Sequence, residues 1–93
     1  ANNPVALLKS LQNMGLRLIA CTEKTNVSIF EVSFNQPTVI IMGSEESGID
    51  NEILELANDK AKIPMKGKIE SLNVSTSAGI IIYEAMRQRQ IAS

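Results

Sequence analysis

The feature that most constrains this chain is a short apolar run, Thr38–Met42 (TVIIM), that stops on Gly43. It is rich in β-branched residues and too short for a buried helix. It therefore reads as a central strand of a parallel sheet, covered on both faces. Such a strand needs parallel neighbours and crossover helices, and the flanking sequence offers both. Pro4 suits the first turn of a helix capped by Asn3, with Leu7, Leu8, Leu11 and Met14 on one face and Gly15 ending it in the left-handed conformation. Leu16–Cys21 reads as a mostly buried strand. Residues 22–36 are polar and mixed, a loop with a short strand around Val27–Val32, closed by Pro37. Asp50 is placed to cap a second helix whose buried side is Ile53, Leu54 and Ala57, with Ile49 and Leu54 as a hydrophobic staple. Lys60–Met65 (KAKIPM) alternates and predicts a third strand ended by Pro64, followed by a turn at Lys66–Lys68. From Leu72 onward, Val74, Ala78, Ile81, Ile82 and Ala85 recur at helical spacing. The expected fold is α/β, a single domain over residues 1–93 with one parallel sheet flanked by helices. In such sheets ligands bind at the carboxyl ends of the strands, here after Met42 and after Pro64.

Composition narrows the function classes. No apolar run approaches the roughly 18–20 residues that span a bilayer, so no membrane role is expected. The chain has one cysteine, Cys21, and no histidine. This makes a metal site improbable chemistry and suits a reducing compartment, with the cytoplasm as the expected location. Charge is uneven: residues 1–59 carry three basic side chains against eight acidic, residues 60–93 six against two. A basic C-terminal third, with Arg87 and Arg89 as candidates, suits phosphate contacts, although on charge alone a solvated face is the favoured reading.

Two segments combine turn residues with small polar groups. Val39–Ile49 (VIIMGSEESGI) is a strand running into Gly-x-Glu-x-x-Gly. Glycines let backbone approach a ligand closely, and the acids suit a cation better than a phosphate. A structural turn with solvated glutamates fits the bare pattern as well. It lacks the closely spaced glycines of a dinucleotide loop, which disfavours a Rossmann or flavodoxin-like reading. Ile63–Val74 (IPMKGKIESLNV) crowds Pro64, Gly67, Ser71 and Asn73 between a strand and a helix, as binding loops do. Ser71 alone would serve as the cap of the last helix, with Asn73 projecting from its first turn.

Together, IMGSEESGI and IPMKGKIESLNVSTSAGIIIYEAMRQR resemble the second and third motifs of the SpoU-type (TrmH-like) RNA 2′-O-methyltransferases of the SPOUT superfamily. The resemblance covers about Thr38 to Gln90. It implies an α/β trefoil knot and an S-adenosylmethionine site lined by Gly43, Ile63 and Leu72, with Met42 and Met65 as neighbours. By the same carry-over Glu45, Ser71 and Asn73 stand at the reaction centre. The implied partners are RNA, with 23S rRNA ahead of tRNA, and a second copy of the chain in a homodimer whose interface includes the last helix. The family's first motif, with its arginine, has no match at Ala1–Ser10. The chain is therefore expected to be N-terminally truncated relative to the family domain and to methylate no RNA by itself. A non-catalytic RNA- or nucleotide-binding knot module is the alternative.

Overall fold

A computed structural model describes residues 3–44, 48–65 and 73–92. Helix α1 (Pro4–Asn13) leads to β1 (Arg17–Cys21), a long loop, β2 (Thr38–Met42), α2 (Asn51–Leu56), β3 (Asp59–Ala61) and α3 (Val74–Ala92). The three strands are all parallel in the order β2-β1-β3, with Cys21 in register with both Met42 and Ala61. Their carboxyl ends thus lie along one edge.

Local chemistry explains the boundaries. The Asn3 side-chain oxygen accepts from Ala6 N at 3.2 Å, and Pro4 needs no donor partner in the first turn. Gly15, at φ +99°, ends α1 in a Schellman turn: its amide donates to Gln12 O and that of Leu16 to Leu11 O. Ile49 and Leu54 are both buried in one cluster, as a staple requires. Asp50 occupies the cap position of α2 but makes no side-chain cap bond.

The sheet is covered on both sides. On one, Ala20, Ile49 and Leu54 form a cluster with Ile41, Ile53 and Ala57. On the other, Ile19, Ala61 and Ile81 pack with Ile29, Val32 and Phe34 from the loop before β2. That loop departs from expectation: it holds no strand, only a parallel bridge between Ser28 and Lys62. Its polar side chains fold it locally, since Thr22, Thr25, Ser28 and Ser33 hydroxyls each accept a backbone amide two residues on.

Four further expectations need correction. The central strand is β1, buried along Leu18–Ala20, whereas Thr38–Met42 is an outer strand of the described sheet and only half-buried. The third strand is Asp59–Ala61 rather than Lys60–Met65, because Lys62 N donates to Val27 O and Ile29 N to Lys62 O, turning that residue toward the loop. Of the apolar residues expected on one face of α1 and its cap, Leu7 and Met14 are exposed and Leu8 and Leu11 are half-buried. In α3, Ile81 and Glu84 are the buried residues, whereas Val74 and Ile82 face outward. Residues 66–72, the segment between β3 and α3 on which the implied knot depends, lie outside the described residues.

Candidate functional site

Because β1 lies between β2 and β3, the exits of the two outer strands are roughly 10 Å apart on the same edge. Met42 and Ile63 are each half-buried and pack against the same apolar cluster. Gly43 and Ser44 continue from Met42; Pro64 and Met65 continue from Ile63, exposed at the surface. The two stretches singled out from sequence are therefore brought to one edge, joined through a shared core.

The turn after β2 folds back on itself. Gly48 N donates to Ser44 O at 2.9 Å, and the two residues form an antiparallel bridge. Gly48 adopts φ +71°, which favours glycine. Gly43 is required for a different reason. A β-carbon there would fall on the Gly48 carbonyl carbon and come within 2.6 Å of Gly48 O and Ile49 N. Two backbones thus approach as only a glycine permits.

Asn73 caps α3. Its side-chain oxygen accepts from Thr76 N at 2.8 Å and its carbonyl from Ser77 N at 2.9 Å. This corrects the expectation that Ser71 caps the helix while Asn73 projects from the first turn. Glu45, Ser71 and Leu72 lie outside the described residues. Of the candidate site residues, Met42, Gly43, Ile63 and Met65 are therefore located at the carboxyl edge and Asn73 at the start of α3.

Cys21 ends the central strand at this edge, half-buried, and burial pushes its thiol up to about 11. The group is a neutral thiol at physiological pH. The unfolded chain ionises first, near 9.0. Stability is thus unaffected below that value, falls as pH rises through the interval, and drops by at most about 1.4 kcal/mol per pH unit. The native chain is expected to react with iodoacetamide at pH 8 at least tenfold more slowly than the urea-unfolded chain; equal rates, followed by mass spectrometry, would show the thiol to be accessible and ionisable.

Arg87 and Arg89, the candidate phosphate contacts, are exposed and also engaged within the chain. Arg87 makes a two-point ion pair with Glu84, at 2.8 and 2.9 Å. Arg89 donates to Phe34 O and Gln36 O. The Arg87 guanidinium holds the Glu84 carboxyl below the usual glutamate range, against the opposing effect of burial and with help from Gln88. That stabilisation is present above the ordinary glutamate pKa and is lost as pH falls through the depressed one. Glu84, Gln88 and their contacts were missed from the sequence. The signal was a glutamate and a glutamine, four apart, on the helical stripe that also carries Ile81 and Ala85. Among the described residues, no group of His, Cys, Asp and Glu could hold a metal ion, and no helix is long and apolar enough to cross a membrane.

Comparison with known proteins gives this geometry a context. Residues 1–83 match the family described as the SpoU rRNA Methylase family. A tRNA (guanosine(18)-2′-O)-methyltransferase of Aquifex aeolicus is 44% identical over 90 residues, 96% of this chain and 43% of the relative. A 23S rRNA (guanosine-2′-O-)-methyltransferase of Photobacterium profundum is 36% identical over 89 residues, 96% of this chain and 36% of the relative. The chain thus spans less than half the length of these relatives. Among solved structures, the A. aeolicus TrmH/SpoU tRNA modifying enzyme superposes with a TM-score of 0.86 at 41% identity, covering 99% of this chain and 47% of that one. The SpoU methyltransferase AviRb from Streptomyces viridochromogenes, in complex with AdoMet, superposes at 0.82 with 31% identity, covering 96% and 36%.

Proposed function

The chain belongs to the SpoU rRNA Methylase family, and on that premise we propose that it forms the S-adenosylmethionine-binding part of an RNA 2′-O-ribose methyltransferase with a knotted sheet. The observation that carries this reading is the single edge on which Met42–Gly43 and Ile63–Met65 meet. The residues present fit the cofactor. Met42, Ile63 and Met65 offer apolar walls for a nucleoside base, and the tight turn at Gly43–Ser44, held by the close approach of Gly48 to Gly43, offers main-chain polar groups at the same edge. When bound, the cofactor supplies a methyl group already activated by the sulfonium charge.

The chain's own residues then have to orient and exclude water. The Asn73 side-chain oxygen is taken by Thr76 N, so the amide NH₂ is the part that donates to a substrate oxygen. Glu45 and Ser71 complete the reaction centre in this reading: the Glu45 carboxylate favours a cationic ligand, and the Ser71 hydroxyl helps to orient the ribose.

Asn73→Asp separates the two duties, since aspartate caps as well as asparagine but offers no N–H donor. It is expected to leave thermal stability close to wild type and to lower methyl transfer by the protein containing this chain about 100-fold. Near-normal transfer from labelled S-adenosylmethionine would remove Asn73 from the mechanism.

The RNA class is the finer point. The wording of the second long motif favours 23S rRNA, whereas the higher identity to the A. aeolicus tRNA enzyme supports tRNA. We take tRNA as the first substrate to test and 23S rRNA as the second, by nuclease mapping of the methylated ribose in each. No methylation of either RNA by the protein containing this chain, with cofactor binding intact, favours the non-catalytic module.

A homodimer belongs to the same proposal. The outward face of α3 carries Ile82, Tyr83 and Met86, all more than half exposed in the single chain. A face this apolar suits an isologous contact with a second copy. The pair Ile82→Asp and Met86→Asp is expected to shift sedimentation from dimer to monomer with the fold retained; a wild-type chain that sediments as a monomer at 100-fold higher concentration would contradict this.

A further inference from the structure

Helix α3 does more than cover the sheet. Gln88 reads the loop before β2 as a neighbouring strand would: its Oε1 accepts from Phe34 N at 2.8 Å, and its Nε2 donates to Val32 O at 3.0 Å and to Glu84 Oε2 at 2.8 Å. Glu84, only 4% exposed, is itself fixed by both donors of Arg87. Arg89 adds bonds to Phe34 O and Gln36 O. The backbone of residues 32–36 is thus held by two side chains of one helix, Gln88 and Arg89, the first of them steadied by Glu84. A few residues upstream, the same loop takes both backbone groups of Lys62, through Val27 O and Ile29 N. Lys62 is the residue before Ile63, and the buried Ile29, Val32 and Phe34 fill the cluster on which Ile63 and Met42 rest.

We infer that Gln88 is a positioning residue for the cofactor site, acting through the loop to fix the exit of β3 and so the Ile63 wall. This inference rests on the cofactor reading proposed above. The chemistry requires an amide at this position. Glutamate keeps an acceptor for Phe34 N but has no donor for Val32 O and sets a second carboxylate against Glu84. Methionine fills the same length and offers neither bond.

The test is native-state hydrogen exchange by NMR on the intact chain, with titration of S-adenosylhomocysteine. In Gln88→Met the Ile29 and Lys62 amides are expected to exchange about tenfold faster or more, and the S-adenosylhomocysteine Kd to rise about tenfold, while the amides of Leu18 and Ile19 in β1 keep their wild-type rates. Gln88→Glu is expected to fall between. Should Gln88→Met not fold, Arg89→Met removes two bonds to the same loop from an exposed position and carries the same expectation. Wild-type Kd in the variant overturns the inference, as does a uniform rise of exchange across β1, which would mark a merely structural role. If the wild-type chain itself binds no S-adenosylhomocysteine, the cofactor reading falls and this inference with it; binding by wild type and variant alike sinks this inference alone.

Discussion

Gly43→Ala is expected to lower the melting temperature by roughly 10–20 °C and to abolish measurable S-adenosylhomocysteine binding. The requirement for glycine is steric rather than conformational, since Gly43 is not among the positive-φ glycines. Its missing β-carbon is the space into which the Gly48 carbonyl is folded. The neighbouring atoms are backbone, so no side-chain rotation relieves the contact. One strand exit must move, at about 3 kcal/mol by analogy with overpacked cores. The movement falls on the turn that follows Met42, which is one wall of the candidate site. Gly79→Ala is the control: nothing lies within 4 Å of a β-carbon there, and an exposed helical position gains up to about 1 kcal/mol from alanine. A Gly43→Ala chain with wild-type melting and wild-type binding would show that the two backbones are not in contact.

Phe34→Ala is expected to cost about 3–5 kcal/mol, a large share of the stability of a domain this small. Among the described residues Phe34 is the largest fully buried side chain, and it belongs to the cluster with Ile19, Ile29, Val32, Ala61 and Ile81. Its removal leaves a cavity in the cluster against which Met42 and Ile63 pack. Phe30, four residues earlier and exposed, is expected to tolerate alanine within about 0.5 kcal/mol. Urea unfolding of the two variants separates them; equal midpoints would mean that the loop does not belong to the core.

The contrast between Phe30 and Phe34 also shows where sequence reasoning stopped. Thr38–Met42 and Leu16–Cys21 were both legible as strands from their apolar runs, but which one lies in the centre was not: the buried central strand is Arg17–Cys21, and Thr38–Met42 is half-buried beside it. The Asn3 cap, the Gly15 turn and the Ile49–Leu54 staple were legible because each rests on contacts within a few residues. The loop was not. Its core residues, Ile29, Val32 and Phe34, follow neither a period of 2 nor one of 3.6, and the hydroxyls between them satisfy backbone groups locally. The shortening of β3 had the same origin: Lys62 alternates correctly for a strand, but its partner is the loop and not β1.

The placement of the two motifs was legible in outline. The parallel order brings the exits of β2 and β3 to one edge, so Gly43 and Ile63 lie along the same side of the sheet, on either side of β1. Helix α3 was harder to read. Its apolar residues surround it, and the buried stripe also carries Glu84, paired within the helix to Arg87 and Gln88, and Gln88, whose other partners lie more than fifty residues away in Val32 and Phe34. Arg87 and Arg89 read as outward cations for the same reason. Their acceptors are a helical neighbour and the carbonyls of a distant loop, which charge counting does not reveal. Asn73 took the cap because its own carbonyl receives the Ser77 amide, a distinction invisible where Ser71, Asn73 and Ser75 all have capping side chains.

The account depends on a single cofactor site built from two strand exits. Its most direct measurement is an amide-resolved NMR titration of this chain with S-adenosylhomocysteine. The account predicts that Gly43 and Ser44, after β2, and Ile63 and Met65, after β3, shift together along one binding curve. Shifts confined to one exit, or confined to the opposite edge around Arg17 and Asp59, would contradict it.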